Sequence, residues 1–408
     1  MSDVCNLPEA GNPHAYAAGM PTVAVIGDGQ LARMMQTAAI ELGQSVRLLA
    51  GSPDASAAQV TGDVVEGDYR RMADLRRAIA GADAVTFDHE HVPNDFLREL
   101  LAEKVVVEPR PEALIFAQDK LAQRTKLAEL GLPVPRFAGI ESAADAARFF
   151  DRVEGRVCLK ATRGGYDGHG VWFPADKAEL ADLVERLLAE QVPLMAEEKV
   201  AFERELSALV ARRRSGEIRA WPVVESVQKD GVCSEAIAPA PGLATEAAEK
   251  ATQLAQTIAS ELGVTGVLAV ELFEFIGAAG TPEVVVNELA MRPHNTGHWT
   301  QDGSVTSQFE QHLRAVLDLP LGDTTPRAPV TVMANTLGGE VEPEMPEVER
   351  MAEVWRRFPQ AKIHLYGKSY RPGRKLGHVN VSGEDAEEAR RIARLAAGFL
   401  VTARWEDA

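Results

Sequence analysis

Alternation of hydrophobic and polar positions along the chain predicts a mixed α/β protein. The apolar run at 22–26 has the length of a buried strand, and apolar residues then recur at helical spacing over 31–42. Three further strand-like runs alternate with helical segments; these runs lie at 45–49, 84–87 and 105–107. Strands that alternate with helices in this way are typical of a doubly wound unit.

Near residue 116 the pattern changes to shorter strands and helices, of an α+β type. A helix is predicted over 118–130. Two apolar runs, 267–273 and 284–289, are joined by a short segment with two glycines and a proline, which predicts a hairpin. The predicted domains are a doubly wound domain at 21–115, an α+β domain at 116–325 and a small mixed β domain at 326–408, after a loose extension at 1–20.

The stretch from Leu159 to Trp172 combines a lysine at the end of an apolar run with a loop of four glycines. Glycines let backbone N–H groups converge on an anion, and Lys160 supplies a cation. The stretch therefore predicts a flexible loop that closes over polyphosphate.

Two acidic residues lie within the strands of the predicted hairpin. Alternation places Glu271 on one face with three apolar neighbours, and places Glu288 on one face with Val284 and Val286. A carboxylate in a buried strand is costly unless a cation meets it. Magnesium, bound by carboxylates and substrate phosphates, is one candidate; an arginine partner or a solvated sheet edge is the alternative.

Further polar stretches are candidates for binding. A solvated loop is the alternative for 86–91 and for 368–375, and structural histidines are the alternative for 290–299. The segment 86–91 carries two carboxylates and two imidazoles, 290–299 carries an arginine, two histidines and an asparagine, and 368–375 carries four cations that suit an oxyanion. The G-x-G-x-x-A pattern at 27–32 is a weak nicotinamide signal. A glycine turn for packing is favoured there, because the second strand is not followed by an acidic residue.

Charge and composition narrow the function classes. Forty-three basic and 60 acidic residues give a net charge of -17, which disfavours nucleic acid and anionic membranes as partners. The three cysteines share no metal-ligand spacing, so a reducing cytoplasm is expected. The first twenty residues lack Lys and Arg, and no run approaches ~18 apolar residues, so neither a signal peptide nor a membrane span is expected.

Six motifs together carry a resemblance to a known family. They are GDGQLARMM at 27–35, TFDHEHVP at 86–93, QDKLAQR at 118–124, GGYDGHG at 164–170, NELAMRPHNTGHWT at 287–300 and YGKSYRPGRKLGH at 366–378. In this order and spacing they resemble the ATP-grasp superfamily, and within it the 5-(carboxyamino)imidazole ribonucleotide synthases of bacterial purine synthesis. The resemblance implies an ATP-grasp fold with an N-terminal doubly wound (pre-ATP-grasp) domain and a small C-terminal mixed β domain, commonly as a homodimer.

The resemblance also implies an ATP site on the central domain. Lys120 and Lys160 would contact the phosphates of ATP. Glu271 and Glu288 would bind magnesium, with Asn287 supporting that site. Further nucleotide contacts would be Gly165, Tyr166, Asp167, Gly168, His169 and Gly170 in the loop, Glu197, Lys199 and Val200 at the adenine, Glu205 at the ribose, and Gln228.

The implied reaction carboxylates 5-aminoimidazole ribonucleotide with ATP and bicarbonate. ATP would convert bicarbonate to carboxyphosphate, which delivers carbon dioxide or an equivalent to the amine. Catalysis would be electrostatic and positional, with Arg292 at the carboxyphosphate and Lys160 and Glu288 at the phosphoryl group. The implied ribonucleotide contacts are Gln30, Leu31, Glu90, Tyr166, Asp167 and His169, with Lys368, Arg374 and Lys375 at the 5′-phosphate.

Four positions depart from the family pattern. They are His169 in place of Lys or Arg, Gln228 in place of His, Met291 in place of Pro and Asp88 in place of Glu. His169 bears on affinity and pH dependence, because a neutral imidazole is a weaker contact than a fixed cation. Another ATP-grasp ligase and an ATP-binding regulator without turnover remain the alternative functions.

Overall fold

A parallel sheet flanked by helices forms the N-terminal part of the chain. The computed structural model describes residues 19–44, 46–164, 170–229 and 231–406. Strands β1 (Val23–Ile26), β2 (Val46–Ala50), β3 (Asp63–Glu66) and β4 (Ala84–Phe87) pair in parallel in the order β3-β2-β1-β4. The helices here are α1 (Gln30–Glu41), α2 (Met72–Ile79) and α3 (Asn94–Ala102). The predicted doubly wound arrangement is confirmed.

Two short segments of this part differ from the predicted elements. The run at 105–107 forms one parallel bridge, between Val107 and Val85, instead of a strand. Strand β3 was not predicted, because it holds only two valines between two acidic residues. Both pairings depend on a neighbouring strand, which hydrophobic pattern alone does not show.

A small antiparallel sheet follows. Its strands, β5 (Phe137–Ile140), β6 (Val157–Ala161), β7 (Val171–Trp172) and β8 (Leu194–Glu198), lie in the order β5-β8-β6-β7. The helices are α4 (Pro111–Gln118), α5 (Lys120–Glu129), α6 (Ala143–Arg152) and α7 (Lys177–Ala189). The helix predicted over 118–130 begins only at Lys120, because the Asp119 side chain accepts a hydrogen bond from Ala122 N and caps α5.

A large sheet carries the rest of the chain. Its strands are β9 (Arg204–Arg212), β10 (Ile218–Ala220), β11 (Val224–Lys229), β12 (Val232–Ala238), β13 (Gly266–Ile276), β14 (Pro282–Ala290), β15 (Val330–Leu337), β16 (Lys362–Leu365) and β17 (Lys375–Gly383). Their order is β14-β13-β9-β11-β12-β15-β17-β16, with β10 paired to β9. The last three strands come from the region after 326, so this region extends the preceding sheet through the antiparallel pairing of β12 with β15.

Helices cover both faces of the large sheet. They are α8 (Thr245–Glu261), a 3-10 turn (Asn295–Gly297), α9 (Thr300–Gly303), α10 (Gln308–Val316), α11 (Glu347–Arg357) and α12 (Ala386–Thr402). Leu268 and Val270 pack in the core under α8, while Val267 and Ala269 pack on the opposite face. None of the helices within the described residues is long and apolar enough to cross a lipid bilayer.

A β-bulge in the hairpin of β13 and β14 decides which way its acidic side chains face. The hairpin forms as predicted, with Glu271 opposite Glu288. The register then shifts, so that Leu272 lies opposite Val286 and Asn287 is the extra residue. Val286 packs with Leu272 in the core under α8, and Glu288 faces the other way, beside Glu271. The prediction that Glu288 shares a face with the valines before it is wrong, because simple alternation omits the bulged residue.

The glycine turn after β1 holds a carboxylate of the protein itself. Gly27 has φ +121°, and a Cβ built on it would lie 1.7 Å from Asp88 Oδ1. Gly29 N–H donates to Asp88 Oδ2 at 2.6 Å. Gly51, where an oxidoreductase would have its acidic residue, donates its N–H to Asp28 Oδ2 at 2.8 Å. The turn therefore serves packing around Asp88, as the favoured alternative proposed.

We predict that Gly27→Ala lowers the free energy of unfolding more than Gly81→Ala does. Both glycines have positive φ, which costs about 1–2 kcal/mol for alanine, but no atom lies within 4 Å of a Cβ at Gly81. The clash at Gly27 adds about 1–3 kcal/mol. Urea unfolding of both variants measures the difference. Adding Asp88→Ala should recover the additional loss at Gly27, and equal losses in the two single variants would contradict the close contact.

Candidate active site

A cleft of about 1050 Å³ lies where the N-terminal sheet, the large sheet and the segment before β17 meet. It is lined from all three parts, by loop residues after β1 and β4, by β13 and β14, and by the basic segment 368–375. The predicted site residues that line it are Gln30, Leu31, Glu90, Lys120, Glu271, Glu288, Arg292, Lys368, Arg374 and Lys375. Residues distant in sequence, predicted for both nucleotides, thus share one cavity.

The two hairpin carboxylates lie side by side at one end of the cleft. Glu288 forms an ion pair with Lys120, and Glu271 Oε1 lies 3.1 Å from His294 Nε2. Burial would raise the pKa of Glu271, but His294, Lys120 and Arg292 hold it below its usual value, so the group is ionised at neutral pH. Paired carboxylates suit magnesium, which takes its other ligands from phosphates and water. Within the described residues, no three His, Cys, Asp or Glu side chains are grouped as a metal site.

Arg292 and Glu90, predicted for different substrates, form an ion pair in the cleft wall. Arg292 Nε lies 2.8 Å from Glu90 Oε2, and Met291 N–H donates to Glu90 Oε1 at 3.2 Å. Burial opposes the ionisation of Glu90, yet Arg292 keeps the pKa of that carboxyl below its usual value. Glu90 therefore orients the guanidinium, while a nitrogen on its other edge donates to Pro293 O at 3.2 Å.

The basic segment gathers four cations at the other end of the cleft: Lys368, Arg371, Arg374 and Lys375. Lys368 donates to Gln30 Oε1, and Arg374 donates to Ser369 O at 3.0 Å and to Ser369 Oγ at 2.7 Å. Within the described residues, Lys368, Arg371 and Arg374 form no ion pair. Burial, followed by the nearby charge of Arg374, lowers the pKa of Lys368 to about 8. These three cations, without an acidic partner in the part of the chain that the structure describes, are suited to an anionic ligand.

The histidine-rich segment after β4 lines the cleft, with Asp88 buried, His89 and Glu90 partly buried and His91 exposed. The His89 ring lies 4.6 Å from the Tyr69 ring and 5.3 Å from the His91 ring, centroid to centroid. Burial, and then His91, lower the pKa of His89 to about 4. Burial raises the pKa of Asp88 to about 7, against the hydrogen bond from Gly29. This segment therefore presents a neutral His89 imidazole to the cleft at neutral pH.

Several predicted nucleotide contacts do not line this cleft: Lys160, Glu197, Lys199, Val200, Glu205, Gln228 and Asn287. Glu197 lies between two cations, with Arg124 Nε 2.6 Å from one oxygen and Lys160 Nζ 2.6 Å from the other. Burial opposes ionisation, yet Arg124 and Lys160 lower the pKa of Glu197 to about 2. The adenine contact predicted for Glu197 does not fit its side chain, because both carboxylate oxygens are already paired.

The other predicted contacts of this group lie along β8, β9, β11 and β14. Lys199 Nζ lies 5.2 Å from the centre of the Phe173 ring, and Gln228 Nε2 donates to Ser226 Oγ at 2.9 Å. Burial, and then Glu271, raise the pKa of Glu205 to about 7. Glu205 thus lies close enough to Glu271 for the charge of that carboxylate to act on it. The predicted contacts Gly165, Tyr166, Asp167, Gly168 and His169 lie outside the described residues.

Two buried polar residues that hold the site together, Arg124 and Gln308, were not predicted from the sequence. Arg124 is 1% exposed, and it stands in a motif quoted for the family resemblance without a role of its own. Gln308 is fully buried beneath the segment 294–298. Neither has a local signal, because an arginine or a glutamine in a helix usually faces water. Only the packing of distant segments shows what they contact.

Comparisons with known proteins agree with this architecture. Residues 20–118 match the ribonucleotide synthetase preATP-grasp domain, 125–309 the ATP-grasp domain, and 331–392 the phosphoribosylaminoimidazole carboxylase C-terminal domain. The N5-carboxyaminoimidazole ribonucleotide synthase of Corynebacterium ammoniagenes is 62% identical over 397 residues, which are 97% of this chain and 96% of that protein. The one from Mycobacterium tuberculosis H37Rv is 54% identical over 387 residues, 95% of this chain and 89% of that protein.

Solved structures show the same likeness. The N5-carboxyaminoimidazole ribonucleotide synthetase of Thermus thermophilus superposes with a TM-score of 0.81 at 36% identity, over 94% of this chain and 99% of that one. The Aspergillus clavatus N5-carboxyaminoimidazole synthase in complex with ADP and 5-aminoimidazole ribonucleotide gives 0.82 at 30% identity, over 93% and 98%. The predicted fold class and family are confirmed: this chain belongs to the N5-carboxyaminoimidazole ribonucleotide synthase family of ATP-grasp enzymes.

Proposed function

We propose that this chain is an ATP-dependent ligase that carboxylates 5-aminoimidazole ribonucleotide to N5-carboxyaminoimidazole ribonucleotide, releasing ADP and phosphate, in purine biosynthesis. One observation carries the proposal. The same cleft has paired carboxylates beside Lys120 at one end and the basic segment 368–375 at the other. A reaction that uses a nucleoside triphosphate to carboxylate a phosphorylated ribonucleotide needs a binding site for each, and the two ends of the cleft can supply them. The relatives' names, and the ADP and 5-aminoimidazole ribonucleotide of the Aspergillus complex, support it.

Phosphoryl transfer takes place at the carboxylate end. Glu271 and Glu288 would hold magnesium, which would offset charge on the phosphates of ATP. Lys120, already paired with Glu288, turns to the same phosphates. Lys160 is held by Glu197 at the end of β6, next to the glycine loop, and meets the phosphates from the side of the small sheet. These residues position the phosphates and offset their charge. Phosphoryl transfer needs no covalent intermediate with the protein, so these two effects account for most of the catalysis.

Bicarbonate, the proposed carbon source, binds beside Arg292. A bicarbonate oxygen attacks the γ-phosphorus of ATP, and ADP leaves, which yields carboxyphosphate. The amine of the ribonucleotide then attacks the carboxyl carbon, phosphate leaves, and the amine loses a proton. Arg292 stabilises the oxyanion of this intermediate, since Glu90 fixes the direction of its guanidinium at 2.8 Å.

The ribonucleotide lies between the N-terminal turn and the basic segment. Lys368, Arg374 and Lys375 hold its 5′-phosphate, and Gln30, which accepts a hydrogen bond from Lys368, holds that lysine beside α1. A protein of net charge -17 thus binds two anionic nucleotides by concentrating cations where their phosphates lie.

Organisation beyond one chain is also part of the proposal. We infer a homodimer, as in the family that the motifs resemble, and a cytoplasmic location. The unpaired thiols of Cys158 and Cys233 suit a reducing compartment. The domain division at 21–115, 116–325 and 326–408 stays a prediction.

The direct test is ADP release by the purified protein. With ATP, magnesium and bicarbonate, we expect release to be stimulated several-fold by 5-aminoimidazole ribonucleotide. Labelled bicarbonate should enter an acid-labile product only when ATP is present. An equal rate of ADP release with and without the ribonucleotide would refute the assignment. It would favour another ATP-grasp ligase, and no turnover with any substrate would favour a regulator.

We expect Glu288→Gln to lower kcat at least about 100-fold, because it removes one charge from the proposed magnesium pair. Glu283→Gln is the matched control, since Glu283 is an exposed residue of the same strand. Titration of activity with magnesium should show a higher half-saturating concentration for Glu288→Gln only. Unchanged magnesium dependence would contradict the metal role of Glu288.

The affinity for the ribonucleotide should fall as pH rises through about 8. A lysine is charged below its pKa and neutral above it, and the pKa of Lys368 is lowered to about 8. Loss of a charge-assisted hydrogen bond should raise KM for the ribonucleotide about tenfold or more by pH 9. Lys368→Arg stays charged, so its KM should change much less between pH 7 and 9. Identical pH profiles of the two proteins would contradict this role.

A further inference from the structure

Gln308 holds the segment 294–298 from beneath. It is the first residue of α10 and is fully buried. Its Oε1 accepts a hydrogen bond from His294 N–H at 2.8 Å, and its Nε2 donates to His294 O at 2.7 Å. One side chain therefore satisfies both backbone groups of a residue that contacts Glu271.

The segment is shaped to admit this side chain. A Cβ built on Gly297 would lie 2.3 Å from Gln308 Oε1, so any larger residue would displace the amide. Thr300 Oγ1 accepts a hydrogen bond from Gln308 N–H at 2.9 Å and donates to Gly297 O at 2.6 Å. Gly297 and Thr300 thus keep the amide at one place and in one orientation.

This orientation determines the protonation of His298. A backbone N–H can only donate, so the oxygen of the Gln308 amide must face His294 N. The amide nitrogen then faces His298 Nδ1, 2.9 Å away. Because an amide nitrogen donates, His298 Nδ1 must accept, and the ring proton lies on Nε2. Burial, and then His294 and Lys375, place the pKa of His298 well below its usual value, in agreement with a neutral ring.

The remaining nitrogen of His298 is placed for a ligand. The ring lines the cleft, and Arg292 and Lys375 are close enough to act on its charge. Within the described residues Nε2 has no hydrogen-bond partner, although the residue is only 1% exposed. The Nε2–H therefore opens on the cleft, where a ligand oxygen can accept its hydrogen bond. Its position between the Arg292 side and the basic segment suits an oxygen of an anionic substrate.

We propose that Gln308 is a positioning residue that fixes His298 as the neutral Nε2–H tautomer, and that His298 donates this hydrogen bond to a substrate oxyanion. This inference rests on the function proposed above. Another cation would be repelled by Arg292, His294 and Lys375, whereas a neutral donor adds a hydrogen bond without added charge. The oxyanion belongs either to bicarbonate or to the ribonucleotide phosphate.

The first experiment needs no turnover. Full-length protein with ¹⁵N-labelled histidine is compared by NMR with His298→Phe, which identifies the His298 ring among the nine histidines. We expect the Nε2–H tautomer in the wild type, unchanged from pH 6 to 8. Gln308→Glu cannot donate to Nδ1, so it should move the proton to Nδ1 or charge the ring. Nδ1–H in the wild type would overturn the proposal.

Kinetics then test the donor. His298→Phe keeps an aromatic ring and removes both ring nitrogens, so kcat/KM of the folded protein should fall at least about tenfold, and urea unfolding measures separately the lost hydrogen bond from Gln308. His298→Gln, which can place an N–H near the same point, should recover most of it. KM for bicarbonate and KM for the ribonucleotide, measured separately, assign the oxyanion to the substrate whose KM rises. Unchanged values of kcat/KM in His298→Phe would overturn the donor role, provided that the wild type responds to the ribonucleotide.

Gln311→Glu is the control for Gln308→Glu. Gln311 is also fully buried in α10, and its amide also bonds both ways to one backbone, that of Gly322, at 2.7 and 3.0 Å. It does not line the cleft. We expect Gln311→Glu to leave the His298 tautomer and kcat/KM unchanged. Equal effects of the two changes would show a general packing effect and overturn the positioning role of Gln308.

Discussion

Arg124 is the buried charge on which the arrangement of the central domain depends. It projects from α5, is 1% exposed, and lies 2.6 Å from Glu197 on β8 of the small sheet. It also donates to the carbonyl of Asn287, the bulged residue of β14 in the large sheet. A buried guanidinium is tolerated only when such partners surround it, and the loss of one partner leaves an uncompensated charge. The two sheets are therefore joined at the point where the phosphates of ATP are proposed to lie.

This pairing connects Lys160, which is proposed to contact the phosphates of ATP, to Glu271 and Glu288, which are proposed to bind magnesium. Glu197 forms an ion pair with Lys160. Arg124 donates to the carbonyl of Asn287, the bulged residue, and this bulge places Glu288 beside Glu271. A change at Arg124 would thus disturb both. Polar partners also orient side chains elsewhere in the cleft. Glu90 orients Arg292, and Gln308 orients His294 and His298. These side chains are each held by a buried polar partner, which keeps their geometry without a ligand.

Opposite charges are sorted along the cleft. Glu271 and Glu288 lie at the end proposed for magnesium and ATP, and Lys368, Arg371 and Arg374, which form no ion pair within the described residues, lie at the end proposed for the ribonucleotide phosphate. For the binding of a small ligand, these local charges outweigh the negative net charge of the whole protein, because charge interactions beyond about 8–10 Å are screened at physiological salt. Net charge therefore disfavours partners with extended anionic surfaces but allows small phosphorylated ligands.

Local pattern in the sequence determined much of this protein. Apolar periodicity located several of the strands and helices, and motif order indicated the family. These features depend on neighbours in sequence. Tertiary structure alone decided the bulge at Asn287, the burial of Arg124 and the hydrogen bonds of Gln308 to His294 and His298, because each depends on segments far apart in the chain. A β-bulge can be recognised only when the strand is aligned with its partner strand. The burial of a polar side chain can be understood only from the groups that form hydrogen bonds or ion pairs with it.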